Sequence, residues 1–542
     1  MMDQVIRPQD PIAVIHAYHE RTKHRLDAYA AGPDFLDWAD QPAPFRSFRG
    51  AERLALPLAP GQPQTSYAQL FAGPGIIPPS PPDLPHLALL LEVSLGLSAW
   101  KAHAEQRWSL RCNPSSGNLH PTEAYLICPD LPGLPAGVHH YHSLDHTLER
   151  RLIPGPSWAE AWPDQGVLLG LSSIHWREAW KYGERAYRYC QHDVGHALGA
   201  IRMAAASLGW ETLLLNDWGD EAIARLLGTD RGHEFPEEER EAPDALLWIG
   251  STRRRPEPLP LLQAVDAGRW AGQAGRLSPE HLRWGVIGEA AAAARKGFGA
   301  HGAAWAPAPL PPVRPTRSKR SAGQIFRQRR SAQRFDAKAP GLPGMDFIRI
   351  LDALLPRPGV PPFDLLPWAP AIHPLLFVHR VEGLEPGCYA LPRHPGSEDR
   401  LRSSLRADFL WQNVAGVPDH IPLRLLRQGD TRDFVRTLCC HQAIASQSLF
   451  AVAMLADFAP RLEEGAWWYR WLHWEAGLLG QSLYLEAEAA TLRGTGIGCF
   501  FDDELHQWLG LADRQFQSLY HFTVGQAVDD PRLTLLPPYG PR

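Results

Sequence analysis

The chain has 542 residues, of which 44% are hydrophobic and 21% are charged, which is typical of a globular protein with two or three domains. Its formal net charge of −5 argues against binding to nucleic acid or to an anionic membrane surface. Seven scattered cysteines without a CxxC motif, and the lack of an apolar window of about 18 residues, lead us to expect a cytoplasmic protein with reduced thiols and no membrane span.

The N-terminal segment, residues 1–84, is expected to form an arm rather than a core of its own. It contains a polar stretch, YHERTKHRLDAYA (18–30), followed by several proline-rich turns. The opening residues, MMDQVIRPQD, lack the basic end and the apolar run of a secretory signal. This agrees with the expectation of a cytoplasmic protein.

The next informative stretch is RCNPSSGNLHPTEAYLI (111–127), in which a turn-forming loop precedes a strand-like run. The loop offers small side chains, free backbone amides and two hydroxyl groups, but no acid, base or nucleophile. It is therefore expected to hold a ligand rather than to react with it. The loop residues are Pro114, Ser115, Ser116, Gly117 and Asn118.

A long apolar segment occurs twice in the chain. The copies begin at Tyr187 and Tyr469, and the same offset in numbering (469 − 187 = 282) separates Gly195 from Gly477. The Leu-Gly turns at 227–228 and 509–510 follow this offset too, and Leu-His-Pro at 119–121 is echoed by Ile-His-Pro at 372–374. We interpret the chain as two copies of one α+β domain, paired as the subunits of a dimer are.

The segment between the copies has the composition of a linker, since it is rich in alanine, proline and basic residues and follows an alanine-rich helical stretch. The predicted organisation is an arm (1–84), domain 1 (85–284), a helix and Pro/Ala-rich linker (285–324) and domain 2 (325–542).

The two copies differ in their polar motifs. The second opens with RQRRSAQRF (327–335), which puts Arg329, Arg330 and Ser331 at the start of a predicted helix, where guanidinium groups, a hydroxyl and helix-start amides suit a phosphate group. A solvated basic turn is the alternative. The first copy has no such motif, and the second copy lacks the Ser-Ser loop, so each half is expected to supply one part of a shared site.

These motifs, in this order, resemble the FMN-dependent nitroreductase superfamily and, within it, the SagB-type dehydrogenases that include azoline oxidases. The resemblance covers about residues 85–255 and 320–538. It implies an FMN between two subunits, which here would be the two halves of an intramolecular pseudo-dimer with one FMN per chain.

By this resemblance the loop 114–118 lies along the flavin ring, where small residues permit close backbone approach, and the phosphate binds Arg329, Arg330, Ser331 and Arg532. Gly496 and Gly498 resemble the loop that approaches the ring, and Gln333 replaces a basic residue near it.

The resemblance also points to Lys181 and Tyr182, which match the Lys-Tyr pair associated with dehydrogenation in azoline oxidases. A tyrosine made more acidic by a neighbouring ammonium is a reasonable base while hydride leaves to flavin N5. The corresponding positions in the second copy, at the offset of the repeat, are Glu463 and Glu464, so the fold does not require the pair. A surface amphipathic turn is the alternative.

Three other signals are not interpreted as metal or dinucleotide sites. The His192–His196 pair has helical metal-ligand spacing but no third ligand. The GTGIG segment (494–498) does not follow a strand, as a dinucleotide fingerprint would. The Cys439–Cys440–His441 cluster lacks a second ligand group, so its cysteines are taken as small buried hydrophobes.

We therefore expect an FMN-dependent biosynthetic dehydrogenase that acts on a small-molecule or peptide-derived substrate. The alternatives are an NAD(P)H-dependent nitro- or quinone reductase and a non-catalytic partner subunit with a degenerate flavin site. Further oligomerisation remains open.

Overall fold

The computed structural model of the protein describes residues 10–303 and 305–540. Its helices are α1 (Pro11–Arg21), α2 (Leu84–Ser94), α3 (His175–Tyr182), α4 (Ala186–Ser207), α5 (Asp220–Leu227), α6 (Pro258–Asp266), α7 (Gly285–Ala293), α8 (Ala322–Gln328), α9 (Gly344–Ala353), α10 (Ser397–Ser404), α11 (Arg432–Leu438), α12 (Ala443–Gln447), α13 (Phe458–Glu464), α14 (Trp468–Ala489) and α15 (Asp502–Leu509).

The strands are β1 (Phe48–Arg49), β2 (Glu52–Ala55), β3 (Leu97–His103), β4 (Gln106–Arg111), β5 (Thr122–Cys128), β6 (Gly137–His142), β7 (Thr147–Ile153), β8 (Gly166–Ser173), β9 (Glu211–Leu214), β10 (Ala242–Gly250), β11 (Arg269–Trp270), β12 (Gln273–Ala274), β13 (Ile372–Val378), β14 (Gly387–Ala390), β15 (Gln412–Asn413), β16 (Arg424–Gln428), β17 (Phe450–Asp457), β18 (Arg493–Ile497), β19 (Phe516–Gly525) and β20 (Thr534–Leu536). The expected mixture of helices and strands is confirmed.

Two antiparallel sheets of similar topology form the halves. The first has the order β11-β7-β6-β5-β8-β10-β9, with β2 against β7, and the second has the order β15-β16-β14-β13-β17-β19-β18. The strands β8 and β17 are buried at every position, and their side chains are mostly apolar on both faces. A third sheet, β20-β3-β4, joins the C-terminal segment to the first half.

Helices α4 and α14 pack against each other through paired glycines. A Cβ atom at Gly195 would collide with the carbonyl oxygen of Trp474 and lie 2.9 Å from Cα of Gly477. A Cβ atom at Gly477 would in turn meet the carbonyl oxygen of His192. The glycines that mark the repeat in the sequence therefore allow the two backbones to touch, and every residue of both helices is buried.

The structural correspondence follows the offset of the repeat only in part. Helices α4 and α14, strands β9 and β18, and helices α5 and α15 all begin at that same offset from one another. The preceding hairpins, in which Cys128 pairs with Gly137 and Val378 with Gly387, have a smaller offset (378 − 128 = 250). By that register the counterpart of His120 is residue 370, so the echo of His120 by His373 is not a structural equivalence.

The N-terminal segment is held between the two halves. The Tyr18 hydroxyl donates to the Glu184 carbonyl oxygen, and Arg188 donates to Thr22 Oγ1 while it pairs with Asp502. None of the helices within 10–303 and 305–540 has the length and apolar character that a membrane span needs.

Candidate functional site

A cleft of about 360 Å³ lies between the halves and is lined by residues of both. Its volume is within the range of cofactor and small-molecule sites. The residues proposed from the sequence that line it are Pro114, Ser115, Ser116, Gly117, Asn118, Tyr182, Arg329, Arg330, Ser331, Gln333, Gly496 and Gly498.

Two proposed residues do not line the cleft. Arg532 is exposed and is held in an ion pair of 2.7 Å by Asp530, two residues before it, so the structure does not bring it to the phosphate-binding side chains. Lys181 lies outside the lining, with its ammonium nitrogen 5.3 Å from the centre of the Tyr182 ring.

The loop 114–118 is fixed by its own hydrogen bonds. The backbone N–H of His120 donates to Ser115 Oγ at 2.8 Å, and the Asn118 amide donates to the Ser109 carbonyl oxygen at 2.9 Å. Gly117 has a φ of 57°, and a Cβ atom there would lie 2.6 Å from the Tyr182 hydroxyl. Glycine is therefore required at this position both by its backbone conformation and by its contact with Tyr182.

The basic motif of the second half follows a helix instead of starting one, because α8 ends at Gln328 and Arg329 is its C-terminal cap. The expected helix-start amides are thus not available to a phosphate. The guanidinium groups are held in the cleft by hydrogen bonds. Arg329 donates to the carbonyl oxygens of Arg111 and Cys112, and Arg330 donates to that of Ser98. These bonds tie the motif to the first half.

The cleft has a cationic side. Arg111, Arg329, Arg330 and Lys101 line it, and burial lowers the pKa of each, to about 10 for Arg111 and Arg330. Within the described part of the chain, none of the four has a carboxylate partner, and Arg329 Nη1 and Arg330 Nε are buried without a hydrogen bond. Burying cations without counter-charges is costly, so the arrangement suits an anionic ligand.

Gly496 and Gly498 belong to the end of β18 and the residue that follows it, not to a flexible loop. A Cβ atom at Gly496 would collide with the Tyr520 hydroxyl, and one at Gly498 with the Tyr189 ring. The glycines are therefore needed by the two tyrosines, and these aromatic side chains line the cleft with them.

Two buried carboxyl groups lie beside the loop and were not identified as site residues from the sequence. Asp193 lines the cleft and accepts a hydrogen bond of 3.1 Å from the Ser116 N–H, while its Oδ2 has no partner. Both oxygens of Glu178 are buried, and no ion-pair partner lies beside them among the described residues. Burial raises the pKa of Asp193 to about 7, and burial together with Asp193 raises that of Glu178. The sequence did single out Asp193, because it marks the repeat. Nothing in the sequence showed that this carboxyl group lacks a cation partner.

The expected acidification of Tyr182 by Lys181 is wrong. Burial and the negative charge of Glu178 raise the pKa of Tyr182 well above its usual value, with Tyr189 contributing. Tyr182 therefore keeps its proton, and its neutral hydroxyl can donate a hydrogen bond. The carboxyl group of Asp193 is the better proton acceptor near neutral pH.

The remaining candidate ligands have structural roles. The His192 ring stacks on Tyr520 with centroids 4.3 Å apart, and His196 Nε2 is 3.0 Å from the Tyr520 hydroxyl oxygen. Among the described residues one group has metal-ligand spacing, namely His373, His394 and Asp457, but Arg400 pairs with Asp457 at 2.7 Å and opposes a cation there.

Comparisons with known proteins are consistent with this geometry. The "Putative nitroreductase" of Methanocaldococcus jannaschii is 30% identical over 21% of this chain and 62% of its own length, so the match spans less than two thirds of that relative. A solved structure of a "putative nitroreductase" from Anabaena variabilis superposes with a TM-score of 0.68 at 23% identity, covering 95% of this chain and 99% of that one. No family model matches the chain.

The fold over nearly the whole chain is therefore that of the Anabaena nitroreductase-like protein. A chain of the E. coli microcin synthetase McbBCD complex is also similar, with a TM-score of 0.27 at 15% identity over 46% of this chain and 95% of that one, a score too low to carry an inference.

Proposed function

We propose that the protein is an FMN-dependent oxidoreductase with one composite cofactor site, in which two fused nitroreductase-like domains stand in for the two subunits of a dimer. The observation that carries the proposal is the cleft itself. The loop 114–118 comes from the first half and the Arg329–Gln333 segment from the second, and both line the same cavity.

The residues present fit FMN at both ends. The four cations without carboxylate partners suit its phosphate, and Arg329 and Arg330 carry the buried unpaired donors that such a group would satisfy. The loop and the flanking tyrosines offer a narrow space with backbone amides, which suits a flat ring. FMN would supply the hydride-accepting redox chemistry of the site.

For the direction of the reaction we propose substrate dehydrogenation, with a small-molecule or peptide-derived substrate. The removal of a proton from the substrate needs a base. Asp193, whose pKa of about 7 leaves it half ionised near neutral pH, supports this role better than Tyr182 does. Tyr182 would instead hold the substrate as a hydrogen-bond donor.

A second candidate is an NAD(P)H-dependent nitro- or quinone reductase, favoured by the similarity to nitroreductase-named proteins. Rapid bleaching of the flavin by NAD(P)H, unchanged in Tyr182→Phe, would favour this candidate. Slow bleaching would favour dehydrogenation.

Cofactor binding tests the proposal directly. Arg330→Ala removes a buried cation of the cleft and is expected to weaken FMN binding by roughly 10- to 100-fold, the range of one charge-assisted hydrogen bond. Arg532→Ala is the matched control, because that arginine is exposed and paired with Asp530. Equilibrium titration with FMN should leave the control unchanged. Wild-type protein that remains colourless after addition of FMN would contradict the proposal.

A further inference from the structure

Two cysteines that are 59 positions apart in the sequence meet beside the cleft, whose lining includes Cys499. The sulfur atoms of Cys440 and Cys499 are 2.7 Å apart, and both residues are partly exposed, unlike the five buried cysteines. A disulfide needs about 2.05 Å between its sulfur atoms, so a small approach would join them. The expectation of small buried hydrophobes therefore holds for Cys439 but not for Cys440.

The fold holds both thiols in place from separate elements. Cys440 lies between α11 and α12, and the Phe501 N–H donates to the carbonyl oxygen of Leu438, the last residue of α11. Gln442 donates to the Cys499 carbonyl oxygen at 3.4 Å. Cys440 and His441 have φ values of 51° and 60°, a strained arrangement for two successive non-glycine residues and one that is concentrated at functional sites.

The surroundings of Cys499 favour its thiolate. The N–H of Ala30 donates to His24 Nδ1, so the imidazole proton is on Nε2 and is available to the Cys499 sulfur. Hydrogen bonding from Cys440 and His24, with the nearby charge of Arg185, lowers the pKa of Cys499 to about 5. The same interaction raises the pKa of Cys440. A thiolate beside a protonated partner thiol is the reactive arrangement of dithiol redox sites.

Cys499 also lines the flavin cleft, one residue after Gly498. The Gly498 carbonyl oxygen accepts hydrogen bonds from Arg185 and from the Tyr189 hydroxyl, which hold this segment against the cavity. The groups that face the pair are His24, Arg185, Tyr29, Tyr182, Tyr189 and Cys439.

We infer that Cys440 and Cys499 form a redox-active dithiol, which becomes a disulfide and exchanges two electrons with flavin bound in the cleft. The inference rests on the proposed function for its electron partner. Oxidation forms one S–S bond, breaks the S–H bond of Cys440 and releases two electrons and one proton, which flavin accepts together. In the reverse direction reduced flavin returns them and the S–S bond breaks.

Thiol counting tests the pair without any flavin. Treatment of the native full-length protein with diamide, followed by denaturation and thiol titration, should remove two of the seven thiols in wild type and two in Cys439→Ala, the adjacent-residue control. Cys440→Ala and Cys499→Ala should lose none. Peptide mass analysis should identify the 440–499 link in wild type, which needs no variant. Seven free thiols after diamide would overturn the inference.

Anaerobic titration of the diamide-treated, FMN-loaded protein with dithionite tests the exchange. Wild type and Cys439→Ala should take four electrons per flavin and Cys440→Ala two, because flavin and a disulfide each accept two. A total uptake of two electrons per flavin in wild type would overturn this inference alone and leave the proposed function standing. Protein that binds no flavin would overturn both, and the absorbance spectrum tells the two cases apart.

Discussion

The two halves use one position in opposite ways. Glu475, the counterpart of Asp193 at the offset of the repeat, is paired with Arg393 at 2.5 Å and also accepts from the Trp368 indole and the N–H groups of Ala371 and Ile372. Asp193 accepts from the Ser116 N–H and has no cation partner. The second half thus uses its buried carboxylate to hold the fold together. The first half keeps a buried, titratable group beside a cleft, which is where functional groups occur.

The same contrast explains why a single site is proposed. At the offset of the hairpins the loop 114–118 corresponds to residues 364–368. There Trp368 is buried and stacks on Trp471 with centroids 4.5 Å apart and planes 7° apart. An open, polar loop in one half is packed core in the other.

The largest effect on the free energy of unfolding is expected at Glu475, whose carboxylate stabilises the fold. Glu475→Gln leaves Arg393 buried without its counter-charge and should lower the free energy of unfolding by about 3–5 kcal/mol. Urea unfolding followed by circular dichroism measures this, with exposed Glu463→Gln as the control. If both variants unfold at the same urea concentration, the contrast between the halves fails.

A somewhat smaller effect is expected at the contact between α4 and α14. Gly195→Ala forces a methyl group into the Trp474 backbone and should cost about 1–3 kcal/mol. Gly199→Ala meets side-chain atoms instead of backbone, with Gln481 Cβ and Cγ at 3.0 Å and Leu478 Cγ at 3.6 Å. The gain in helix propensity, about 1 kcal/mol, is common to both, so the difference between their unfolding midpoints isolates the backbone contact. Equal midpoints would show that the glycine pair does not fix the helix packing.

The stability of the protein should depend on pH because Asp193 has no cation partner among the described residues. Unfolded aspartate ionises near pH 3.9, whereas folded Asp193 has a pKa of about 7. The folded state therefore holds a proton that the unfolded state releases, and its contribution to wild-type stability falls as pH rises between these values.

Asp193→Asn cannot ionise, so its stability relative to wild type should increase from pH 4 to pH 7 and then level off. We expect a gain of a few kcal/mol across this window, since each pKa unit is worth about 1.4 kcal/mol. Unfolding curves at several pH values measure it. A difference between variant and wild type that does not change with pH would mean that Asp193 has a cationic partner in the folded state.

The sequence predicted much of the cleft but little of its electrostatics. The loop 114–118 and Arg329–Ser331 have unusual local composition, so they could be found one at a time, and the repeat suggested that the two halves meet. Whether a charged side chain or a thiol has a partner depends on the tertiary structure, so it could not be predicted from the sequence. Arg532 was misjudged because Asp530 binds it, and Tyr182 because burial and the negative charge of Glu178 raise its pKa. Cys440 and Cys499 became a pair only through the fold.

Stoichiometry tests the central claim most directly. Titration of the flavin-free protein with FMN, followed by quenching of flavin fluorescence, gives the number of sites per chain. The unequal halves predict one FMN per chain. In the second half, Trp368 occupies the position that corresponds to the open loop of the first half. Two equivalent sites per chain, or none, would contradict the account.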